Sequence, residues 1–152
     1  MSGRVIREMT ADDVERVVAL ERSVFSLPWS PKVFAAEVVR ESAICLVCEV
    51  DGVLVAYLIA DAFVDVWHLM NVCVVPEQRR RSIASDLLEE YFEITEAKPH
   101  RGHTLEVRVS NEAAVELYRS FGFVATGFRR SYYSDNREDA LIMWKDWEGR
   151  TA

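Results

Sequence analysis

Hydrophobic and polar positions change their spacing several times along the chain, and each change marks a predicted element. Thr10-Ala11-Asp12-Asp13 is typical of a helix start, and apolar residues at helical spacing follow it as far as Val24. Ser30 with Pro31 starts a second helix, because proline fits the first helical position. Apolar positions at helical spacing fall within residues 14–24, 32–40, 83–94 and 114–121.

Strands fill the remaining hydrophobic segments. Val53–Ala60 is apolar without alternation, which predicts a strand covered on both faces, and Asp51-Gly52 predicts a hairpin turn before it. Further predicted strands lie at 43–50, 66–75, 104–109, 123–133 and 140–147. Together with the apolar start at Val5 and Ile6, the order is β-α-α-β-β-β-α-β-α-β-β. This order predicts an α/β fold, a mixed sheet with helices on both sides.

Composition limits the class of protein. The 152 residues are 50% hydrophobic, which predicts one folded domain over 1–152. The longest apolar run is 53–60, far short of the roughly 20 residues that span a bilayer, and the N-terminus is polar. We therefore expect a cytoplasmic protein that does not bind membranes. A net charge of -7 argues against direct nucleic-acid binding and favours basic partners.

The cysteines and histidines do not predict a metal site. Cys45 and Cys48 have the spacing of a metal knuckle, but in a strand residues three apart point to opposite faces. Without a secretory signal, all three cysteines are expected to be reduced thiols. His68, His100 and His103 show no spacing typical of ligands. The sequence therefore predicts no metal.

The most informative segment is a strand end at Val75-Pro76, a short polar turn and a helix start. The free amides of a first helical turn favour an anion, and Arg79-Arg80-Arg81 adds positive charge beside them. Small residues at Ser82 and Ala84 would let a ligand approach the backbone. This pattern fits a pyrophosphate site, and it equally fits an ordinary helix start with a basic surface run.

The spacing Arg79-x-x-Ser82-x-Ala84 resembles the (Gln/Arg)-x-x-Gly-x-(Gly/Ala) pyrophosphate loop of the GNAT N-acetyltransferases. The element order agrees along nearly the whole chain. Other matching segments are 25–34, 71–76, 105–111, 117–123, 129–133 and 137–140. Within this family the chain is most similar to enzymes that acetylate the N-terminal alanine of a small-subunit ribosomal protein.

The resemblance implies acetyl-CoA as co-substrate. Its pyrophosphate would lie on Arg79, Arg80, Arg81, Ser82, Ile83 and Ala84, and its pantetheine arm along the backbone of Val72, Cys73 and Val74. Asn111 would contact the same arm, although helix capping alone accounts for an asparagine there. Ser82 stands where the family usually has glycine. Its Cβ could crowd the pyrophosphate, unless helical dihedral angles at this position make serine tolerable.

Two residues are candidates for proton transfer. Glu106 shares a strand face with Arg108, opposite Leu105 and Val107. It is an exposed charge, a partner of Arg108 in a salt bridge, or a functional carboxylate. A protein α-amine has a pKa near ~8 and must lose a proton before it attacks a thioester. The resemblance implies Glu106 as that base. Tyr118 reads as a core aromatic, and the resemblance implies that it is the acid protonating the leaving thiolate.

Two aromatic segments match the loops that flank the peptide entrance in related enzymes. They contain Phe25 and Trp29 in the first and Tyr132 and Tyr133 in the second, and core packing or a hairpin would explain them equally. The resemblance implies direct acetyl transfer to a protein N-terminus, that of a basic ribosomal protein. Two alternatives stay open: a lysine or small-molecule amine as acceptor, and a GNAT-fold binding module without turnover.

Overall fold

Seven strands of the described chain form one sheet in the order β1-β2-β3-β4-β5-β7-β6. A computed structural model describes residues 3–149, so residues 1–2 and 150–152 of the predicted 1–152 domain lie outside it. The strands are β1 Arg4–Glu8, β2 Ala43–Val50, β3 Val53–Phe63, β4 Val66–Val74, β5 Gly102–Arg108, β6 Val124–Arg129 and β7 Ala140–Asp146. The helices are α1 Val14–Val24, α2 Pro31–Val38, α3 Ile83–Thr95 and α4 Glu112–Ser120. The predicted order of elements is confirmed.

Helices cover both faces of the sheet, and β3 carries the core between them. Tyr57 and Ile59 pack with residues of α1 and α2, whereas Leu58 and Ala60 pack with residues of α3 and α4. All four side chains are fully buried. The prediction that β3 is covered on both faces is therefore confirmed, and this explains why its apolar run is continuous.

Local sequence signals start several of these elements. Asp51 and Gly52 both have positive φ, 50° and 83°, which suits the tight turn that joins β2 to β3. Ser30 precedes α2, and Pro31 occupies its first turn. The Asn111 side chain accepts a hydrogen bond from the Ala114 N–H at 3.2 Å and so caps α4.

Strands β4 and β5 pair only at their beginnings. They are parallel, and the pairs are Val66–Gly102, Trp67–His103 and His68–Thr104; all other neighbouring strands in the described sheet are antiparallel. Beyond His68 the two strands separate. The pairing of β4 with β3 also shifts here, since Ala60 pairs with Leu69 and Ile59 with Asn71. Met70 is thus an extra residue, a β-bulge at the point where the strands part.

One predicted strand is too long. The segment predicted as 123–133 ends at Arg129, and Tyr132 and Tyr133 lie in the loop before β7. The reason is a turn at Ser131, whose φ is 49° and whose N–H donates to the Asp139 carboxylate at 2.9 Å.

The cysteines are free thiols, and Cys45 and Cys48 pack on opposite faces of the sheet as predicted. Among residues 3–149, no helix is both long and apolar enough to cross a bilayer.

Candidate active site

A cleft of 460 Å³ opens where β4 and β5 separate. Its walls come from the bulged part of β4 and the end of β5, from the loop between α1 and α2, from α4, and from the loop before β7. The predicted site residues that line it are Phe25, Trp29, Val72, Arg79, Glu106, Asn111, Tyr118 and Tyr133. The fold therefore brings together candidates that lie as much as 108 positions apart in the sequence.

Glu106 lies in the cleft with only 16% of its side chain exposed. Its carboxylate accepts a hydrogen bond from the Tyr132 hydroxyl at 3.1 Å. Two basic groups lie nearby, His68 Nε2 at 3.8 Å and Arg129 Nε at 3.6 Å. The Glu106 carboxylate therefore has one hydrogen-bond donor and two basic groups beside it, and it still faces the open space of the cleft.

The alternative pairing of Glu106 with Arg108 is wrong. Arg108 instead donates to Asp135 at 2.8 Å and to Glu138 at 3.4 Å, and its guanidinium stacks 4.0 Å above the ring of Tyr133. The same Asp135 carboxylate accepts from the Ser26 hydroxyl at 2.6 Å. Arg108 and Asp135 thus join the two entrance loops, 25–29 and 131–134, across the mouth of the cleft.

Tyr118 enters the cleft from α4, on the other side of the sheet from Glu106. Its ring packs edge-on against Phe123, with 5.8 Å between the ring centroids. Tyr118 therefore packs as the core aromatic residue that was predicted as the alternative. Burial, with a smaller contribution from Tyr133, raises the pKa of Tyr118 to about 12. The hydroxyl is therefore protonated at neutral pH and can act only as a proton donor.

Glu21 is a cleft residue that the sequence did not identify as functional. Only 2% of it is exposed, and its carboxylate accepts three hydrogen bonds. The donors are the Tyr57 hydroxyl, the Asn71 side chain at 2.9 Å and the Trp29 N–H at 2.9 Å. Helical spacing places Glu21 on the apolar side of α1. A glutamate on the buried face of a helix is unusual, and this could have identified Glu21 from the sequence.

The turn before α3 has an unusual backbone. Arg80 and Ser82 have φ values of 63° and 64°, in the left-handed region. Serine was expected to be tolerated if its dihedral angles were helical, and they are not. Left-handed geometry costs an L-residue about 1–2 kcal/mol relative to glycine, which explains why a glycine suits this position. Arg4 braces the turn, donating to the Arg81 carbonyl at 2.8 Å and to Asp86 at 2.5 Å.

The other predicted coenzyme residues do not line the cleft. Cys73 and Ile83 are 3% and 1% exposed, with their side chains in the two cores. Arg80, Arg81, Ser82 and Ala84 do not line the cleft but lie in the turn and first helical residues at its side. Arg79 Nε donates to the Val74 carbonyl at 3.1 Å, so this arginine ties the turn to the end of β4.

Two features of the backbone fit acetyl-CoA. Within residues 3–149, the amides between Arg79 and Asp86 donate to no other backbone group, which leaves them for an anion at the start of α3. The backbone groups that β4 directs toward β5 have no strand partner beyond His68. Unpaired groups of this kind can hydrogen-bond the amides of a pantetheine arm.

Comparison with known proteins identifies a family. The model described as Acetyltransferase (GNAT) family matches residues 14–123. A Bacillus subtilis (strain 168) protein, provisionally named a ribosomal protein bS18-alanine N-acetyltransferase, is 39% identical over 140 residues. That match covers 91% of this chain and 93% of the relative.

Solved structures agree with the fold. The crystal structure of the ribosomal-protein-S18-alanine N-acetyltransferase from Escherichia coli has a TM-score of 0.88 at 31% identity, with 98% of this chain and 96% of that chain covered. Arabidopsis thaliana NAA60, whose structure holds acetyl-CoA, has a TM-score of 0.87 at 19% identity, with 96% and 99% covered. The second likeness concerns the fold alone.

We expect Ser82→Gly to raise the free energy of unfolding by roughly 0.5–1 kcal/mol. Relief of the left-handed conformation gains about 1–2 kcal/mol, and the added entropy of the unfolded chain removes about 0.4–1 kcal/mol of that gain. Ser85→Gly is the matched control, because Ser85 lies in the first turn of α3 and the same change there should cost about 0.5–1 kcal/mol. Urea denaturation measures both; equal losses in the two variants would contradict the prediction.

Glu21→Gln should lower the free energy of unfolding by about 1–3 kcal/mol, because an amide NH₂ would then face one of three buried donors. Chemical denaturation of the purified chain measures this loss. Glu15→Gln, an exposed glutamate on the same helix, is the control and should change stability little. If both variants unfold at the same denaturant concentration, the three bonds to Glu21 do not stabilise the fold.

Proposed function

This chain belongs to the GNAT family of acetyltransferases, and from that premise we propose that it acetylates the N-terminal α-amine of a protein. The acceptor we propose is a ribosomal protein that begins with alanine, as the names of the Bacillus subtilis relative and the Escherichia coli enzyme state for those proteins. The enzyme is an acetyl-CoA-dependent N-acetyltransferase. The single observation that carries the proposal is the cleft between β4 and β5, which a carboxylate and a protonated phenol enter from opposite faces of the sheet.

In the proposed mechanism Glu106 takes the proton of the acceptor amine, directly or through a water molecule. The amine has a pKa near ~8 and is mostly protonated at neutral pH, so this step produces the form that attacks. Glu106 suits the task because its carboxylate faces the cleft and accepts only one hydrogen bond among the described contacts, from Tyr132. The other oxygen, Oε1, accepts no hydrogen bond among those contacts, although it lies 3.6 Å from Arg129 Nε and 3.8 Å from His68 Nε2, and it is the oxygen proposed to receive the proton.

Tyr118 is proposed to donate a proton to the thiolate of CoA as it leaves. Its pKa of about 12, raised by burial, keeps the hydroxyl protonated across the physiological range. Arg79 to Ala84 hold the diphosphate in this proposal. The backbone of Val72 to Val74, which has no partner strand on the β5 side, aligns the pantetheine arm and offers amides to the acetyl oxygen. The transfer is direct and uses no metal and no covalent enzyme intermediate.

The entrance loops are proposed to hold the acceptor peptide. Phe25 and Trp29 line the cleft on one side and Tyr133 on the other, while the Tyr132 hydroxyl touches Glu106. Glu21 fixes the first loop through the Trp29 amide, and Asp135 joins it to the second. The wall between them is aromatic and rigid, which favours a small first residue. A chain with net charge -7 attracts a basic ribosomal protein in the cytoplasm, without contact to nucleic acid or membrane.

We expect the enzyme to acetylate peptides with a free N-terminal alanine. Mass spectrometry of peptides incubated with the enzyme and acetyl-CoA measures this. The label should appear on the α-amine, and replacing alanine by a bulky first residue should lower kcat/KM. Activity only on lysine peptides with blocked N-termini, or on free polyamines, would reject the α-amine acceptor. Failure to bind acetyl-CoA in calorimetry would instead indicate a binding module without turnover.

Glu106→Gln should lower kcat by about 10²–10⁴-fold at neutral pH with little change in the Kd of acetyl-CoA, because general-base assistance is lost and the coenzyme contacts remain. Tyr118→Phe should lower kcat within the same range through loss of the acid. Glu112→Gln, an exposed glutamate at the start of α4, is the control for the carboxylate change. Steady-state rates across pH decide the matter; a Glu106→Gln profile that overlies the parent would remove Glu106 from the mechanism.

A further inference from the structure

Three polar side chains meet in the interior at the carboxyl end of α3. Glu96 and His103 are 4% and 0% exposed, and the His100 side chain is 5% exposed. Glu96 follows the last residue of α3, His100 lies in the connection to β5, and His103 is the second residue of that strand. None of them has a part in the proposed acetyl transfer.

The geometry of the cluster suits a metal ion. One oxygen of Glu96, Oε2, lies 3.0 Å from His100 Nε2 and 3.6 Å from His103 Nε2. One ligand atom from each of the three residues lies within 4.8 Å of the others. Ligand atoms at zinc–nitrogen distances of about 2.0–2.1 Å around a tetrahedral centre are roughly 3.3 Å apart. The two distances to Glu96 bracket that value.

Two polar atoms of the cluster lack a hydrogen-bond partner within residues 3–149. His103 Nε2 and His100 Nδ1 are buried without a hydrogen bond. No ion pair within residues 3–149 joins Glu96 to a lysine or arginine, since Lys145 is paired with Glu148 at 2.8 Å. A buried imidazole nitrogen without a partner is costly, and a cation bound between Glu96 and the two rings would satisfy His103 Nε2. The carboxyl end of a helix also favours positive charge.

The surrounding contacts orient the ligands. The Tyr91 hydroxyl lies 2.7 Å from His103 Nδ1, which leaves Nε2 as the nitrogen that faces Glu96. The Glu148 N–H donates to the other oxygen of Glu96, Oε1, at 3.3 Å. Such outer hydrogen bonds are usual around metal-binding histidines.

The cluster lies beside an opening in the protein surface. A second cleft of 380 Å³ is lined by Glu96, Lys145, Glu148 and Gly149, together with Phe92, Ser120 and Phe121. An ion therefore has a route to the cluster, and three protein ligands leave a fourth position for water.

We propose that Glu96, His100 and His103 bind one divalent transition-metal ion. The ion is zinc, because two imidazoles and a carboxylate are a typical ligand set for zinc. The ion would fasten the end of α3 to the start of β5, and so stabilise the strand that carries Glu106. His103 and Glu106 are three residues apart on that strand and face opposite sides of the sheet, so the ion takes no part in acetyl transfer. This inference does not depend on the acceptor of the enzyme.

The test is zinc binding by the full chain after treatment with a chelator and dialysis. We expect one equivalent of zinc in competition with a chromophoric chelator, a rise in melting temperature with zinc concentration, and a tetrahedral visible spectrum with cobalt. Glu96→Gln and His100→Gln should each abolish the stoichiometric site. Tyr91→Phe keeps the size of a buried ring and should weaken the Kd by about 10- to 100-fold.

His68→Gln is the matched control, because it removes a histidine outside the cluster and should leave zinc binding unchanged. Circular dichroism establishes that each variant is folded before its affinity is compared. A chain without zinc binding would overturn the proposal. So would binding that survives both Glu96→Gln and His100→Gln, or binding that is lost in His68→Gln. If a ligand variant fails to fold, the Tyr91→Phe comparison and the cobalt spectrum of the parent decide the outcome.

Discussion

The separation of β4 from β5 is the constraint on which the rest of the site depends. Neighbouring strands pair at about 4.8 Å, and once they part beyond that distance their backbone groups need other partners. Here the parting begins after His68, next to the bulge at Met70. The bulge also reverses which side of β4 each later residue faces, which puts Asn71 against Glu21. A ligand with amides of its own is the natural partner for an opened strand edge.

Two carboxylates, those of Glu21 and Asp135, hold the loops around this opening. Glu21 binds one loop amide, one strand side chain and one core hydroxyl, so α1, the first entrance loop and β4 meet at a single group. Asp135 and Arg108 extend the arrangement to the second entrance loop. These hydrogen bonds restrict the two loops that carry the aromatic side chains. Under the proposed function, a restricted wall would discriminate between substrates better than a mobile one.

Helix α3 has a different electrostatic task at each end. Its first turn, with free amides and the arginines before it, favours the negative charge of a diphosphate. Its last turn leads into Glu96 and the two histidines, where the helix dipole favours a cation. Under the two proposals, one helix would hold an anion at its first turn and a metal at its last, with the fully buried Leu87 and Leu88 between them.

Several features of this protein were determined by the sequence alone. The order of elements, the burial of β3 on both faces and the hairpin at Asp51-Gly52 follow from local spacing and from residues with restricted dihedral angles, which act over a few positions. The segment from Arg79 to Ala84 was recognisable because it is continuous. Glu106 was placed on the correct face because strands alternate strictly.

The tertiary structure decided which side chains meet. Spacing gives the face on which a residue lies and does not give its partner on another element, because that depends on how helices pack and strands diverge. Arg108 therefore bonds Asp135 instead of Glu106, Glu21 becomes a buried acceptor for three elements, and Glu96 reaches two histidines. Ser82 shows the same limit for the backbone, since its left-handed conformation is imposed by the turn that joins β4 to α3 and cannot be read from a serine.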